Sequence, residues 1–527
     1  MSQPDSIWHT LRHPQFRGLW SSGGIYFIGN AMQTMAAAWM MVELTGSSFL
    51  AALVQTAVFL PMFLLALPAG VMSDITDRRK LILASLYTQA VTVALLAVLS
   101  LAGWAGPAAL LFFVFVAGCC TALLSPAWNS TIGDAIPRDE LPQAINVVSI
   151  AYNAARALGP ALAGLVFTLA GGAWNFVIAV AGSAAMIHAI RRWPPRPHPP
   201  SRLPAERLWG GTLSGLRFAR HSQIILAQLV RTAAYSGAGS ALWALLPVIG
   251  QRQLGLGAEG FGLLMGCLGT GAVGAGLVVG RLRARIGLEA LVAIGCCVFA
   301  AAMLVCAWSS WRLGVYAALV AGGGAWMSVM TTFNTATQTS APPWVRARAL
   351  AMHTMCALGS FALGSAFWGA VSDIAGLTAA LCVAAACMAA GLALARPFPL
   401  RMGEAHEVTP AAIAWENIVV AGQPNPEAGP VAVEIGYRIA ADQAPAFLDV
   451  ICQLRAPRRR DGATFWRVYR DLADPSRYVE RFIVTSWADY LHQRARATLA
   501  DEEIEARVRA FLLPGETITM GHYIAER

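Results

Sequence analysis

Lysine is almost absent from this chain. Lys80 is the only one, and arginine carries the rest of the positive charge. Charge of either sign is scarce, at 13% of residues against roughly 25% in an ordinary soluble domain. The scarcity is uneven: residues 1–400 hold 23 Lys/Arg and 11 Asp/Glu, a net of +12, whereas residues 401–527 hold 15 and 18, a net of −3. A nucleic-acid-binding face would cluster basic residues with aromatics on a soluble fold. The surplus here lies in the hydrophobic part and bears on membrane orientation instead.

Other absences narrow the function further. No Cys-x-x-Cys or metal-ligand spacing occurs among the ten cysteines. Nine of them (Cys119, Cys120, Cys267, Cys296, Cys297, Cys306, Cys356, Cys382 and Cys387) lie in apolar segments and read as small packing residues. No Walker motif is present, so the chain itself is not expected to use ATP. Glycine-rich runs such as Gly269-Thr270-Gly271-Ala272-Val273-Gly274 follow no strand and lie inside a hydrophobic run, which rules out a dinucleotide loop. No cofactor or metal is expected. No small-residue cleavage site follows the polar start, Met1 to Trp20, so the first hydrophobic span is expected to be retained.

What the chain has is long apolar runs, with 57% hydrophobic residues. A helix crossing a bilayer needs roughly twenty such residues. Runs that meet this need lie near 18–43, 49–73, 81–102, 107–130, 142–169 and 172–190, then 222–249, 259–280, 288–308, 312–336, 348–372 and 375–395. Positive loop residues mark the cytoplasmic side. With the N-terminus inside, that side collects Arg12, Arg17, Arg78, Arg79, Lys80, Arg138, the stretch Arg191 to Arg220, Arg281, Arg283, Arg285, Arg346, Arg348 and Arg396. The other side collects only Arg252 and Arg312. Both termini are therefore expected in the cytoplasm.

The two halves repeat at an offset of 205 residues. Trp128-Asn129 matches Phe333-Asn334, Pro137 matches Pro342, Ala144 matches Ala349, and the run Leu158 to Gly164 matches Leu363 to Gly369. A parallel six-plus-six repeat suits alternating access about a site between two bundles.

Between the second and third spans lies Gly70-Val71-Met72-Ser73-Asp74-Ile75-Thr76-Asp77-Arg78-Arg79-Lys80. It resembles the loop signature of the major facilitator superfamily, with Asp77 in place of the usual second glycine. The matching loop of the second half, Gly276 to Gly287, keeps Gly280, Arg281, Arg283 and Arg285 without the acidic residue. Asn153, Arg156, Gly159, Pro160 and Gly164 in the fifth span resemble the Gly-Pro motif of that superfamily's exporters. Ser125-Pro126-Ala127-Trp128, Pro137-Arg138 and Arg346-x-Arg348-Ala349 are similar to the branch that contains the enterobactin exporter. The resemblance covers essentially the whole chain. It implies an all-α membrane fold of twelve helices in two six-helix bundles.

The resemblance also assigns roles. Asp74, with Gly70, Arg78 and Arg79, would latch the halves in the outward-facing state by meeting a facing helix N-terminus. The basic residues alone are equally explained by topology. Gly159 and Pro160 either serve the exporter motif or only allow close packing. Arg156 lies mid-span, where a charge costs at least about 2.5 kcal/mol. It would contact an anionic substrate or couple transport to an ion, or else pair structurally with Asn153 or a carbonyl. Asn129 and Asn334, the repeat-related pair, either line the cleft or bond across helices. Arg231 is expected to snorkel to the inner surface. Glu43, Glu259 and Asp373 are expected to be solvated at the outer helix ends. No membrane-centre carboxylate is evident, and the fourth-span arginine of many exporters of the superfamily is missing.

After Arg401 the pattern changes to mixed charge with period-two segments. Strands are expected at 431–438, 463–470, 478–484 and 516–524, with helices at 442–455, 487–498 and 502–511. The order β-α-β-β-α-β is ferredoxin-like and resembles small dimeric barrels of the antibiotic-biosynthesis-monooxygenase type. Trp466, Trp487 and His492 are its only suggestive side chains, and core or interface roles suit them. The expected organisation is a bundle at 1–190, a cytoplasmic linker at 191–221, a second bundle at 222–400 and an α+β ferredoxin-like domain at 405–527. The resemblance implies a proton-coupled secondary exporter of a siderophore- or drug-like small molecule in a bacterial inner membrane. Its partners would be the lipid bilayer, the substrate and protons, with dimerisation through the C-terminal domain. A competing reading makes the helices an anchor for a sensor or enzyme at 405–527.

Overall fold

The computed structural model describes residues 7–137, 140–193, 216–411 and 424–526. Among these, twelve long helices follow one another: α1 (Pro14–Thr45), α2 (Ser48–Ile75), α3 (Arg78–Leu101), α4 (Pro107–Ala135), α5 (Leu141–Ala170) and α6 (Ala173–Arg192), then α7 (Gln223–Val248), α8 (Ala258–Ile286), α9 (Leu288–Trp308), α10 (Arg312–Ser340), α11 (Arg346–Ala375) and α12 (Leu377–Ala390). Eleven are long and apolar enough to cross a membrane. The exception is α1, whose 32 residues are diluted by Ser21, Ser22, Asn30, Gln33 and Thr34.

Local chemistry sets the ends. Gly46 closes α1 in a left-handed conformation, φ 62°, which costs glycine least. Ser47 caps α2 by accepting from the Leu50 amide. Asp77 caps α3 by accepting from the amides of Arg79 and Lys80. The replacement of the signature's second glycine is thus a helix cap.

The C-terminal domain runs β1 (Val431–Arg438), α13 (Ala444–Ile451), α14 (Arg455–Asp461), β2 (Phe465–Arg470), β3 (Arg477–Val484), α15 (Trp487–Arg496), α16 (Leu499–Arg509) and β4 (Thr519–Ile524). Its sheet has the order β2-β3-β1-β4, antiparallel throughout, as a ferredoxin-like fold requires. One sheet face, with Val431, Val433, Ile435, Tyr478, Phe482 and Val484, packs with Phe447, Ile451 and Tyr490 of the helices into a buried core. The expected single helix at 442–455 is broken: α13 passes through a 3-10 turn, Cys452–Leu454, into α14. Arg455 closes the expected helix and Arg458, Arg459 and Arg460 lie beyond it, yet all four belong to this extra helix.

The described residues fall into two compact units. The first takes the chain up to the linker, Arg231–Phe333 and Thr354–Pro397. The second takes the linker's end up to Val230, Asn334–His353 and the chain from Phe398 onward. Within the expected linker, residues 194–215 lie outside the described residues.

Candidate transport cleft

The first unit joins the two halves through α5 and α8. A Cβ on Gly262 would lie 2.5 Å from the Pro160 carbonyl, one on Gly164 2.6 Å from the Ala258 carbonyl, and one on Gly269 2.6 Å from Cα of Ala157. These distances leave no room for a side chain, so the small residues are what let the helices touch. Gly159 serves α1 instead, since its Cβ would lie 2.6 Å from that of Ala31. Gly159 and Pro160 therefore both sit at close helix contacts. Gly70 does not: a Cβ there would meet nothing within 4 Å.

The ends of the halves remote from the N-terminus carry further contacts. Asp373, at the end of α11, accepts from Ser47 Oγ at 2.6 Å and from the amides of Ser48 and Phe49 at 2.8 and 3.2 Å. Arg252 donates to the Gly46 carbonyl. Trp39 stacks on Phe261 at 5.4 Å, and a Cβ on Gly369 would lie 2.5 Å from that of Ala52. Asp373 is exposed as expected, but its carboxylate is committed to the first turn of α2. Glu43 and Glu259 are exposed too, and Glu43 accepts from Trp39 Nε1 at 2.6 Å.

Helix α5 carries two exposed stripes. Leu158, Leu162, Leu165 and Leu169 form one, suited to lipid. Ile145, Ser149, Tyr152 and Arg156 form the other, well over a third of a turn away at about 100° per residue. Arg156 sits 6.0 Å above the Tyr152 ring. Tyr152 meets Phe27 edge-on at 5.3 Å, and Phe27 meets Trp128 at 6.3 Å. Nearby, Tyr26 donates to Gln89 at 2.8 Å, and Gln89 reaches Asn30 at 3.4 Å. The result is an aromatic and amide wall around a cation that no carboxylate among the described residues neutralises.

The remaining predicted residues are scattered. Asn153 does not pair with Arg156; it donates to the Ser149 carbonyl at 2.9 Å, one turn back. Asn129 is exposed near the end of α4. Asn334, in the second unit, accepts from Gln338 at 2.7 Å on its own helix. Arg78 opens α3. Arg79 donates to the Arg191 carbonyl at the end of α6, holding two helices of one half together. Asp74 falls in the last turn of α2, and its side chain lies outside the described residues. Arg231 does not snorkel: it is only 4% exposed and meets both Glu289 oxygens, at 2.7 and 2.6 Å. An acid 58 residues away was invisible to local pattern reading.

In the C-terminal domain Trp466 and Trp487 are core residues, and His492 is exposed. Trp466 donates to Glu480 at 2.9 Å, and Glu480 is fully buried with Tyr437 and Arg458 as further donors. Burial and the Glu480 charge together hold the Tyr437 hydroxyl well above its usual range.

Twelve helices in two halves with a glycine-lined seam match a known family. The family described as transmembrane secretion effector (MFS_3) matches residues 5–527. The chain belongs to this major facilitator family. It is similar to the enterobactin exporter EntS of Shigella flexneri, 26% identical over 404 residues that cover 72% of this chain and 89% of that one. It is also similar to the multidrug efflux pump Tap of Mycolicibacterium fortuitum, 25% identical over 367 residues, 67% of this chain and 87% of that one. Among solved structures, a mutant of the nucleoside transporter NupG shares the fold with a TM-score of 0.62 at 12% identity, over 73% of this chain and 99% of that one. A bacterial homolog of the human lysosomal transporter Spinster, inward-facing and unoccupied, aligns with a TM-score of 0.54 at 15% identity over 74% and 95%.

Major facilitator proteins of this family are membrane transporters rather than enzymes, and this multi-pass chain is one of them. That outcome removes the anchored-enzyme reading.

Proposed function

We propose that the chain is a proton-coupled exporter of a siderophore- or drug-like organic molecule in a bacterial inner membrane. The observation that carries the reading is Arg156. It is a mid-span cation on the polar stripe of α5, beside Tyr152 and Phe27 and without an acidic neighbour among the described residues. An intramembrane charge kept without neutralisation has a task, and an anionic or polarisable substrate group supplies the missing partner. The relatives that export enterobactin or drugs support the direction of transport. Loop charge supports an orientation with both termini cytoplasmic. On that orientation the Asp373 and Arg252 contacts close the outer end, and Asp74 is the inner latch of the opposite state.

Protons are proposed as the coupling ion from the family resemblance. Dimerisation through the C-terminal domain is proposed from its uncovered sheet face, where Phe465, Tyr469, Val479, Ile483 and Tyr523 surround the Glu434–Arg481 pair.

The test is efflux from proteoliposomes with an imposed proton gradient, using a panel of catechol-containing and cationic dyes. Wild-type protein should move at least one, and an uncoupler should stop it. Arg156→Ala should lower that rate at least ten-fold with normal insertion, and Asp74→Asn should abolish cycling. A rate unchanged in Arg156→Ala would remove the residue from the site.

A further inference from the structure

The second compact unit contains more than the ferredoxin-like domain. It also holds the end of the linker, the last turns of α10, the turn to α11 and the first turns of α11. A dense set of contacts explains why these segments belong together.

Phe218, from a helical turn at 216–221, is 2% exposed and meets Trp344 edge-on at 5.5 Å. Around them Ala219, Ile225, Ala341, Val345 and Ala349 form a closed apolar cluster. The C-terminal domain covers this cluster with two cations. Arg496 of α15 lies 4.4 Å above the Trp344 ring, and Arg460 of α14 lies 6.0 Å from the Phe218 ring.

Both arginines are fixed from behind. Arg460 grips the Asp461 carboxylate with two bonds of 2.8 Å and reaches Asp501 at 2.5 Å. Arg496 donates to the Asp461 carbonyl at 3.1 Å. Asp501 is itself held as the partner of Thr498 at the start of α16. The membrane side reaches back, since Arg217 donates to the Gly462 carbonyl at 2.9 Å. A second strap follows the chain out of the membrane. The Gly403 amide donates to Ser340 Oγ at 2.8 Å, and the Ala411 amide donates to the Ala497 carbonyl at 2.9 Å.

We infer that the C-terminal domain is a clasp on the inner end of the second half, with Arg460 and Arg496 as positioning residues that hold Phe218 and Trp344. Helix α14 presents Arg460 to Phe218, while its Arg458 turns inward to Glu480 and Glu505. The clasp fixes the α10–α11 turn, and with it the start of a helix whose far end carries Asp373. A cation over an aromatic face is worth roughly 0.5–2 kcal/mol as burial increases. Arg460 also neutralises the buried Asp461 and Asp501, so its removal would strand two acids, whereas Arg496 reaches the Asp461 backbone carbonyl and its removal leaves the Arg460–Asp461 pair in place. Cutting off the whole domain is a poor test, because it would uncover Trp344 and the cluster beneath it.

The test compares full-length wild type with Arg496→Gln and with Arg496→Lys. Hydrogen exchange is followed at 340–349 and at β1 and β3. Arg496→Gln should exchange at least three-fold faster at 340–349 with β1 and β3 unchanged, and Arg496→Lys should restore most of the protection. Unchanged exchange at 340–349 overturns the clasp. So does loss of protection at β1 and β3 to the same degree, which would mean that Arg496 only holds the domain's own fold.

A transport arm, which rests on the exporter reading, measures ethidium efflux from proteoliposomes. The maximal rate of Arg496→Gln should fall about two-fold with the half-saturating concentration unchanged. A change in half-saturation alone would overturn the positioning role. Failure of wild type to move ethidium would count against the proposed substrate range, whereas the exchange result judges the clasp without any substrate.

Discussion

The membrane helices and the C-terminal domain treat buried charge in opposite ways. In the helices, charge is rationed. Arg231 is neutralised by Glu289, and Arg156, exposed on α5, has no acidic neighbour among the described residues. In the domain, Glu480 is fully buried yet meets Tyr437, Arg458 and Trp466, and Arg460 bridges two aspartates. Cohesion differs as well. Lipid offers helices no hydrophobic gain on association, so the α5–α8 seam depends on close backbone approach at Gly164, Gly262 and Gly269. The domain, surrounded by water, is held by its apolar core and can accommodate an ionic network only because each member is satisfied.

The sharpest way to break this contrast is Glu480→Ala. It leaves Arg458 with Glu505 alone and strips the acceptor from Tyr437 and Trp466. Domain stability should fall by about 3–5 kcal/mol, read from hydrogen exchange of β1 and β3 during denaturant titration of the full chain. A loss below 1 kcal/mol would mean that the network is not cooperative.

Gly262→Leu tests the other side. Its side chain would collide with the Pro160 carbonyl, so about 1–3 kcal/mol of overpacking should appear as a lower melting temperature in detergent. Gly70→Leu, at an open position, should leave melting unchanged; equal losses would sink the seam as the special feature. Asp373→Asn should weaken the cap on α2 by about 0.5–1 kcal/mol. Spin-label distances across that end should then show a two- to five-fold larger open fraction, and identical distributions would count against closure by Asp373.

A separate effect concerns pH. Burial pushes the Asp461 carboxyl up to about 6, against the pull of Arg460 and Arg496 and with Asp501 adding to the rise. The folded domain therefore binds a proton that the unfolded chain, titrating near the ordinary carboxylate value, has already lost. This group's contribution is greatest below pH 4 and is lost as pH rises through about 6. Asp461→Asn should flatten that part of the stability profile, and an unchanged slope would place the titration elsewhere.

Much of this architecture was legible in the sequence because it rests on local composition. Apolar runs marked the helices, although polar residues in α1 make it the weakest of the twelve. Period-two segments marked all four strands of the domain. Arg156 stood out because a mid-span charge needs no partner to be noticed. Arg231 was misjudged, and the contacts of Asp373, exposed as expected, were missed, for the complementary reason. Their partners, Glu289 and the start of α2, lie 58 and 326 residues away, and no local pattern reports such a pairing. Close packing at Gly159 and Pro160 was readable as one of two alternatives, but the neighbours were not: Gly159 faces α1, and the Pro160 carbonyl faces α8.

The sequence by itself determined a membrane-embedded, duplicated transporter with a ferredoxin-like appendage. Those properties follow from hydrophobicity, period and repeat, each readable along a single stretch of chain. Only the tertiary structure decided which glycines form the seam, that Asp373 holds the start of α2, and that Arg460 and Arg496 reach Phe218 and Trp344. Those properties are made by atoms far apart in sequence, and packing alone brings them within a few ångströms.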